Sequence, residues 1–381
     1  MQLRIALALF VLFGTIPLAQ ACSICAVGLG QAATLREKVA EAKAVVRGDL
    51  KNAKLDPQST TGTTEFHFTN VLKSHDTTAK QTMIVLPKYY PIIGNTSPDY
   101  VLFFDVNGLS LDAFAGQSCT APLAKYLEGI AKLDARDALA RLAFYFQQLD
   151  ATDAAVADDA FLEFVKTTDA ELTAAKHLFD ARKLRQWVRN PKLPPEKLGV
   201  FALLLGQSGT SDDLPVFADL MKAGCTETGA ASLAGVLAGQ TLLDAKTGWA
   251  SLKAILNEPK NSYPIRLSAL TALHYLQANH AKTMKPELLN MYRVLLASDL
   301  ADLAISDLRR FQWWDLSEDV LKLYAKPMQS KLMRRLILRY ALTSPGVSSS
   351  KFIAEVRRAE PQAVQDAEEY LRDIEASPPK Q

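Results

Sequence analysis

The sequence predicts an α+β, multidomain protein: a small antiparallel β-barrel over residues 22–120, then an all-α solenoid over residues 121–375. Three observations predict it. The chain opens like an export signal, so the folded part starts near residue 22. Up to about residue 120, short β-branched and aromatic runs alternate with turn residues. Beyond that point Ala and Leu recur with a helical period almost to the end.

The first element is the leader. Met-Gln-Leu-Arg carries one charge at Arg4, and "IALALFVLFGTIPLA" (Ile5 to Ala19) carries none. Ala19-Gln20-Ala21 then supplies a small-x-small cleavage signature. The apolar run is shorter than the ~20 residues a bilayer-spanning helix needs. Residues 1–21 are therefore read as a signal peptide, with no membrane span once it is removed; the alternative is an uncleaved anchor, since no charge follows the apolar run until Arg36. The protein is expected to be exported, periplasmic or secreted. Cleavage takes Arg4 away and lowers the formal charge from +2 to +1. A near-neutral chain has no global field to gather nucleic acid or anionic membrane.

The β-rich part holds four or five strands. "EAKAVVRGDL" (Glu41 to Leu50) is β-branched at its centre, and "TTEFHFTNVLK" (Thr63 to Lys73) alternates. In that alternation Phe66, Phe68 and Leu72 share one face, and Glu65, His67 and Thr69 share the other. "TMIVLP" (Thr82 to Pro87) and "YVLFFDV" (Tyr100 to Val106) follow, divided by the turn-rich "PQSTTG" and "IIGNTSPD". A helix over residues 31–43 precedes or caps the strands.

The helical part begins at Ala121, with Pro122 in a first turn. Its apolar stripes are Leu123, Tyr126, Leu127 and Ile130, then Leu139, Leu142, Phe146 and Leu149, then Val156, Ala160, Phe161, Phe164 and Val165. Alanine-centred stripes recur near Ala160, Ala202, Ala234, Ala269 and Ala304, and again at Leu338. That spacing suits a two-helix unit. "YPIRLSALTALHYL" (Tyr263 to Leu276) and "SDLADLAISDLRRF" (Ser298 to Phe311) are the clearest copies. Each has a Pro or Asp entering the helix, an Arg within it and an Ala/Leu stripe, a pattern that resembles HEAT repeats. The resemblance implies an α-solenoid over roughly residues 134–375 with an extended binding surface. Residues 376–381 read as a disordered tail.

The cysteines bear on both compartment and chemistry. Cys22 and Cys25 sit just past the apolar run, Cys119 near the end of the β-rich part and Cys225 among the helices. A lipid anchor on Cys22 is possible, but Gln20 fits the required small-residue site poorly. Haem attachment needs a His where Ala26 stands. Zinc needs further ligands at close spacing, which the scattered His do not offer. Thiol exchange places its Cys pair after a strand, which is absent here. A structural disulfide is the remaining role, with Cys22 or Cys25 joined to Cys119, or Cys22 joined to Cys25. An exported protein permits either.

The processed Cys start, the nearby second Cys, "AKAVVRGDL", "TEFHFTNVLK" and "YVLFFDV" together resemble the netrin-module class, which includes the tissue inhibitors of metalloproteinases. The resemblance covers about residues 22–120 and implies an OB-type barrel. In those inhibitors the first cysteine's amino group and carbonyl chelate a protease zinc. By that resemblance Cys22 would carry the role, although this chain has C-S-I-C where the inhibitors have C-x-C. The pairing of barrel and HEAT-like helices is also similar to exported bacterial proteins.

Elsewhere, "RRFQWWDLSEDVL" (Arg309 to Leu321) stands out. Neighbouring tryptophans on a helix differ by about 100°, so Trp313 and Trp314 cannot both face one core. Arg309, Arg310, Arg334 and Arg335 lie nearby in the array, with Arg339, and aromatic residues among arginines are enriched at interface hot spots. One reading packs the tryptophans between repeats, along the core stripe of Leu316, Val320 and Tyr324; the other makes these six residues, Arg309, Arg310, Trp313, Trp314, Arg334 and Arg335, the candidate surface for a protein partner. His67 reads as a solvated cross-strand residue, His274 and His280 as six apart and so not on one helical face, and "SSSK" as a helix N-cap. No nucleophile elbow, acid–base pair, cofactor motif or metal motif is present. The expectation is an exported, non-catalytic binding or scaffolding protein without a cofactor, and the alternative is a metalloprotease inhibitor acting through Cys22.

Overall fold

A computed structural model describes residues 24, 32–56, 61–92, 97–108, 110–325 and 330–376. It divides into two compact units, Met1–Ala175 and Lys176–Gln381.

In the first unit, helix α1 (Leu35–Glu41) leads into strands β1 (Ala44–Leu55), β2 (Gly62–Lys73), β3 (Met83–Leu86), β4 (Asp99–Asn107) and β5 (Ser110–Ser118). They form one antiparallel sheet in the order β3-β2-β1-β4-β5. Alternation puts Ala44, Val46, Leu50, Phe66, Leu102 and Phe104 on one buried face, with Phe68 packed against it. Val45, Val101 and Phe103 are buried on the other face, so the sheet's centre is covered on both sides, with α1 packing on β4. The closed barrel expected from the sequence is not what these strands make. Among the described residues β3 and β5 are free edges. Closure fails for a physical reason: β3 has only four residues, and Pro87 directly after it has no N–H for a further rung.

Four helices complete this unit: α2 (Ala121–Ile130), α3 (Ala138–Phe146), α4 (Ala154–Lys166) and α5 (Asp169–Ala174). Thr120 caps α2 by accepting the Leu123 N–H. The α2 and α4 stripes are buried as their periodicity requires, whereas Leu139 at the start of α3 is exposed.

Helix α1 is fastened to α4 by polar groups. A capping box joins Thr34 and Glu37. The buried Asp159 accepts the Leu35 N–H at 2.7 Å and the Tyr126 hydroxyl at 2.8 Å. Arg36 meets both carboxylate oxygens of Glu163 at 3.0 Å, and Lys166 reaches Glu37 at 2.5 Å.

The second unit is wholly helical: α6 (Ala181–Val188), α7 (Pro195–Ser208), α8 (Leu214–Gly224), α9 (Ala230–Leu243), α10 (Ala245–Asn257), α11 (Tyr263–Leu296), α12 (Ala301–Arg310), α13 (Ser317–Lys322), α14 (Lys331–Thr343), α15 (Val347–Ala359) and α16 (Pro361–Ala376). Its main packing pairs join helices one or two places apart in the chain. Helix α9 is apolar on all sides, and every residue from Ser232 to Thr241 is buried. It meets α7 backbone to backbone. A Cβ on Gly235 would overlap the Gly199 carbonyl, and one on Gly206 would overlap Gly239. The sequence breaks suggest short helices throughout, but α11 runs for 34 residues through Pro286. The proline only deprives the Lys282 carbonyl of its donor, and burial at Leu288, Tyr292 and Leu295 holds the second half in place.

Candidate functional site

The tryptophan–arginine stretch lines a surface hollow where α12 ends. Helix α12 ends with Arg309 and Arg310 in its last turn, where its dipole favours cations. Gln312 then takes a left-handed conformation at φ 56°. The Trp313 N–H donates to the Leu308 carbonyl at 2.9 Å, and the Gln312 N–H donates to the Arg309 carbonyl at 3.1 Å. That pair of bonds is a Schellman motif with glutamine where glycine is usual. It turns consecutive tryptophans in different directions.

Trp313 goes into the core, against Tyr292 at 6.1 Å and Phe311 at 5.6 Å between ring centres. As a member of the candidate partner surface it is therefore corrected: the C-terminal turn of α12 directs it inward. Trp314 is half-buried and stands edge-on to Tyr340 at 5.0 Å. The Tyr340 hydroxyl donates to the Trp313 carbonyl at 3.0 Å and pins this turn.

Trp314, Arg309, Arg310, Gln312, Thr343 and Pro345 line a hollow of about 680 Å³. On its floor, buried Asp307 faces the His274 Nε2 at 2.5 Å and accepts from the Arg310 Nη2 at 2.8 Å and the Tyr292 hydroxyl at 3.2 Å. Burial first, then the Asp307 charge, holds the Tyr292 hydroxyl well above its ordinary pKa. Arg310 also lies over the Phe311 ring at 4.9 Å. Arg309 has no carboxylate partner among the described residues.

Arg334 and Arg335 line a separate hollow of about 310 Å³ with Lys331, Tyr324 and Glu360. Arg334 bridges both Glu360 oxygens at 3.1 and 3.2 Å and stacks over Tyr324 at 4.8 Å. Arg335 is exposed and has no such partner among the described residues. Arg339, one turn further along α14, lies over the Tyr370 ring. Burial, together with the nearby Arg309 and Arg335 charges, holds its pKa below the usual guanidinium range. The six predicted residues thus separate into two hollows and one core position.

Asp307, Gln312, Thr343 and Pro345 were not legible as site residues. His274 and Asp307 lie on different helices, 33 residues apart, and nothing local marks the pair.

The cysteine candidates fare differently. Cys119 is buried after β5, its N–H donates to the Asp99 carbonyl at 2.8 Å, and burial pushes its thiol up to about 11. It is a free thiol in this structure, and Cys22 and Cys25 lie outside the described residues. Cys225 is free and exposed at the end of α8. Two further expectations also shift. His67 is half-buried against Glu65 at 2.8 Å, and the N-cap of α15 is Gly346 rather than a serine of "SSSK".

Among the described residues no helix is long and apolar enough to cross a membrane, and no group of His, Cys, Asp and Glu could hold a metal ion. Compared with known protein families, curated proteins and solved structures, the chain matches none of them.

Proposed function

We propose that the chain is an exported binding or scaffolding protein without chemistry of its own, docking an anionic protein segment on its helical unit. The observation that carries this is Arg309: a guanidinium left without a carboxylate, beside the half-buried indole of Trp314 in an open hollow. Guanidinium forks favour carboxylates, and aromatic neighbours supply contact area at low entropic cost. Helices that pack mainly on near neighbours in the chain support a HEAT-like solenoid, an architecture used for extended binding surfaces.

Titrating the full chain with labelled polyglutamate, followed by fluorescence anisotropy, tests the docking site. Saturable binding that weakens with salt is expected, and Arg309→Glu is expected to lose it. Absence of binding by folded wild-type protein refutes the proposal.

The sheet favours a second reading. Strands β1, β2 and β3 run as neighbours and β4 returns beside β1, which is Greek-key order, and an OB-type fold is a partly open Greek-key barrel. On that reading a netrin-like module is fastened by a disulfide from Cys22 or Cys25 to Cys119, and Cys22 reaches a protease zinc. Peptide mapping without reductant tests the bridge. Incubating the processed protein with a zinc protease tests the inhibition, and an acylated or uncleaved N-terminus rules it out.

A further inference from the structure

The arginine hollow has a neighbour of opposite charge. A second hollow, of about 490 Å³, shares Trp314 and Pro345 with the first, and its charged lining is three carboxylates, Asp315, Glu318 and Asp319, against one guanidinium, Arg293. Asp315 is paired with Lys285 at 2.8 Å and Asp319 with Arg293 at 3.4 Å. Glu318 is exposed and has no cationic partner among the described residues. Trp314 and Pro345 therefore form a saddle with one unpaired cation, Arg309, on one side and one unpaired anion, Glu318, on the other.

We infer that this saddle takes an extended peptide segment of mixed charge, with acidic residues in the arginine hollow, basic residues beside Glu318, and its backbone crossing the Trp314–Pro345 ridge. The inference rests on the proposed anion-docking role of Arg309 and extends it by naming the occupant. Charge complementarity selects a peptide. An acidic polysaccharide would satisfy Arg309 but meet repulsion from Glu318, whereas a polypeptide carries both signs within a few residues. The ridge is rigid, because Tyr340 braces Trp314 and proline has a fixed φ. Gly346 and Ser348 line the acidic hollow where α15 begins without a side-chain cap. Its first-turn N–H groups can take peptide carbonyls there.

The test uses the full chain and three labelled probes: a peptide of glutamates, a glycine spacer and lysines; an all-glutamate peptide; and an oligogalacturonate. The mixed peptide is expected to bind tightest. Arg309→Glu should weaken both peptides, by about fivefold, the upper end for an exposed charge pair. Glu318→Lys should weaken the mixed peptide by about as much while strengthening the all-glutamate one, a reversal that damage to the fold cannot produce. Unchanged unfolding midpoints verify the variants, with Glu318→Gln as a second variant that abolishes the mixed-peptide advantage. If the all-glutamate peptide or the oligogalacturonate binds as tightly as the mixed one, the inference fails and anion docking stands. If no probe binds, both fail.

Discussion

Replacing Asp159 by asparagine is expected to stabilise the sheet-bearing unit above pH 6 and to change little below pH 4. The carboxylate is buried between the N-terminus of α1 and Tyr126, and burial, reinforced by the Glu163 charge, pushes its pKa up from 3.8 to about 6. The Leu35 N–H, the Tyr126 hydroxyl and Lys38 act in the opposite direction but do not cancel the burial. A raised folded pKa means that folding favours the protonated form. The stability linked to Asp159 is therefore complete below its unfolded value near 3.8 and is lost as pH rises through about 6. The gap corresponds to about 3 kcal/mol above pH 7. Asparagine has the same shape. Its carbonyl can keep the Leu35 bond, and its amide can donate to the Tyr126 oxygen, without a charge to desolvate. All four tryptophans lie in the helical unit, so fluorescence is silent here. Amide exchange of peptides spanning α1 reports the joint, and comparing wild type with Asp159→Asn at each pH separates the effect of this position from the pH dependence the two proteins share. Slower exchange in the variant at pH 7.5, converging with wild type near pH 4, is the expected result. A variant that exchanges faster at pH 7.5 would show that the negative charge itself holds α1, and would refute the reasoning.

Three further outcomes concern the helical unit, where urea unfolding followed by tryptophan fluorescence is the readout. Gly235→Ala should destabilise it by about 3 kcal/mol, because the new methyl group overlaps the α7 backbone rather than a side chain that could move. An effect under about 0.5 kcal/mol would mean that the helices are not in contact there. Gln312→Gly should stabilise the unit by about 1 kcal/mol by relieving a left-handed residue, and a net loss would show that the glutamine side chain holds the turn. Trp313→Ala should cost about 3–5 kcal/mol and Trp314→Ala distinctly less, the latter weakening polyglutamate binding instead. Equal costs would contradict the division between core and surface.

Local pattern determined a good deal. Alternation at Phe66 and Phe68 placed them inward because side chains on a strand change face at every residue. The α2 and α4 stripes were readable because a 3.6-residue period has one apolar side. The impossibility of burying both Trp313 and Trp314 in one core also followed from helical geometry alone, though not which of them turns out. Only the tertiary structure decided that. It depends on a left-handed Gln312, a conformation glutamine rarely adopts and no propensity signals. The same holds for the open sheet, since strand order is a matter of long-range pairing, and for Asp307, whose partner His274 sits on another helix. It holds above all for the fastening of α1. The described residues hold α1 through Asp159 and Glu163, 124 and 127 positions beyond their partners Leu35 and Arg36, and no local pattern marks such distant partners. Periodicity records which face an element buries. It does not record which distant element covers that face, because that choice is made by the packing of the whole unit.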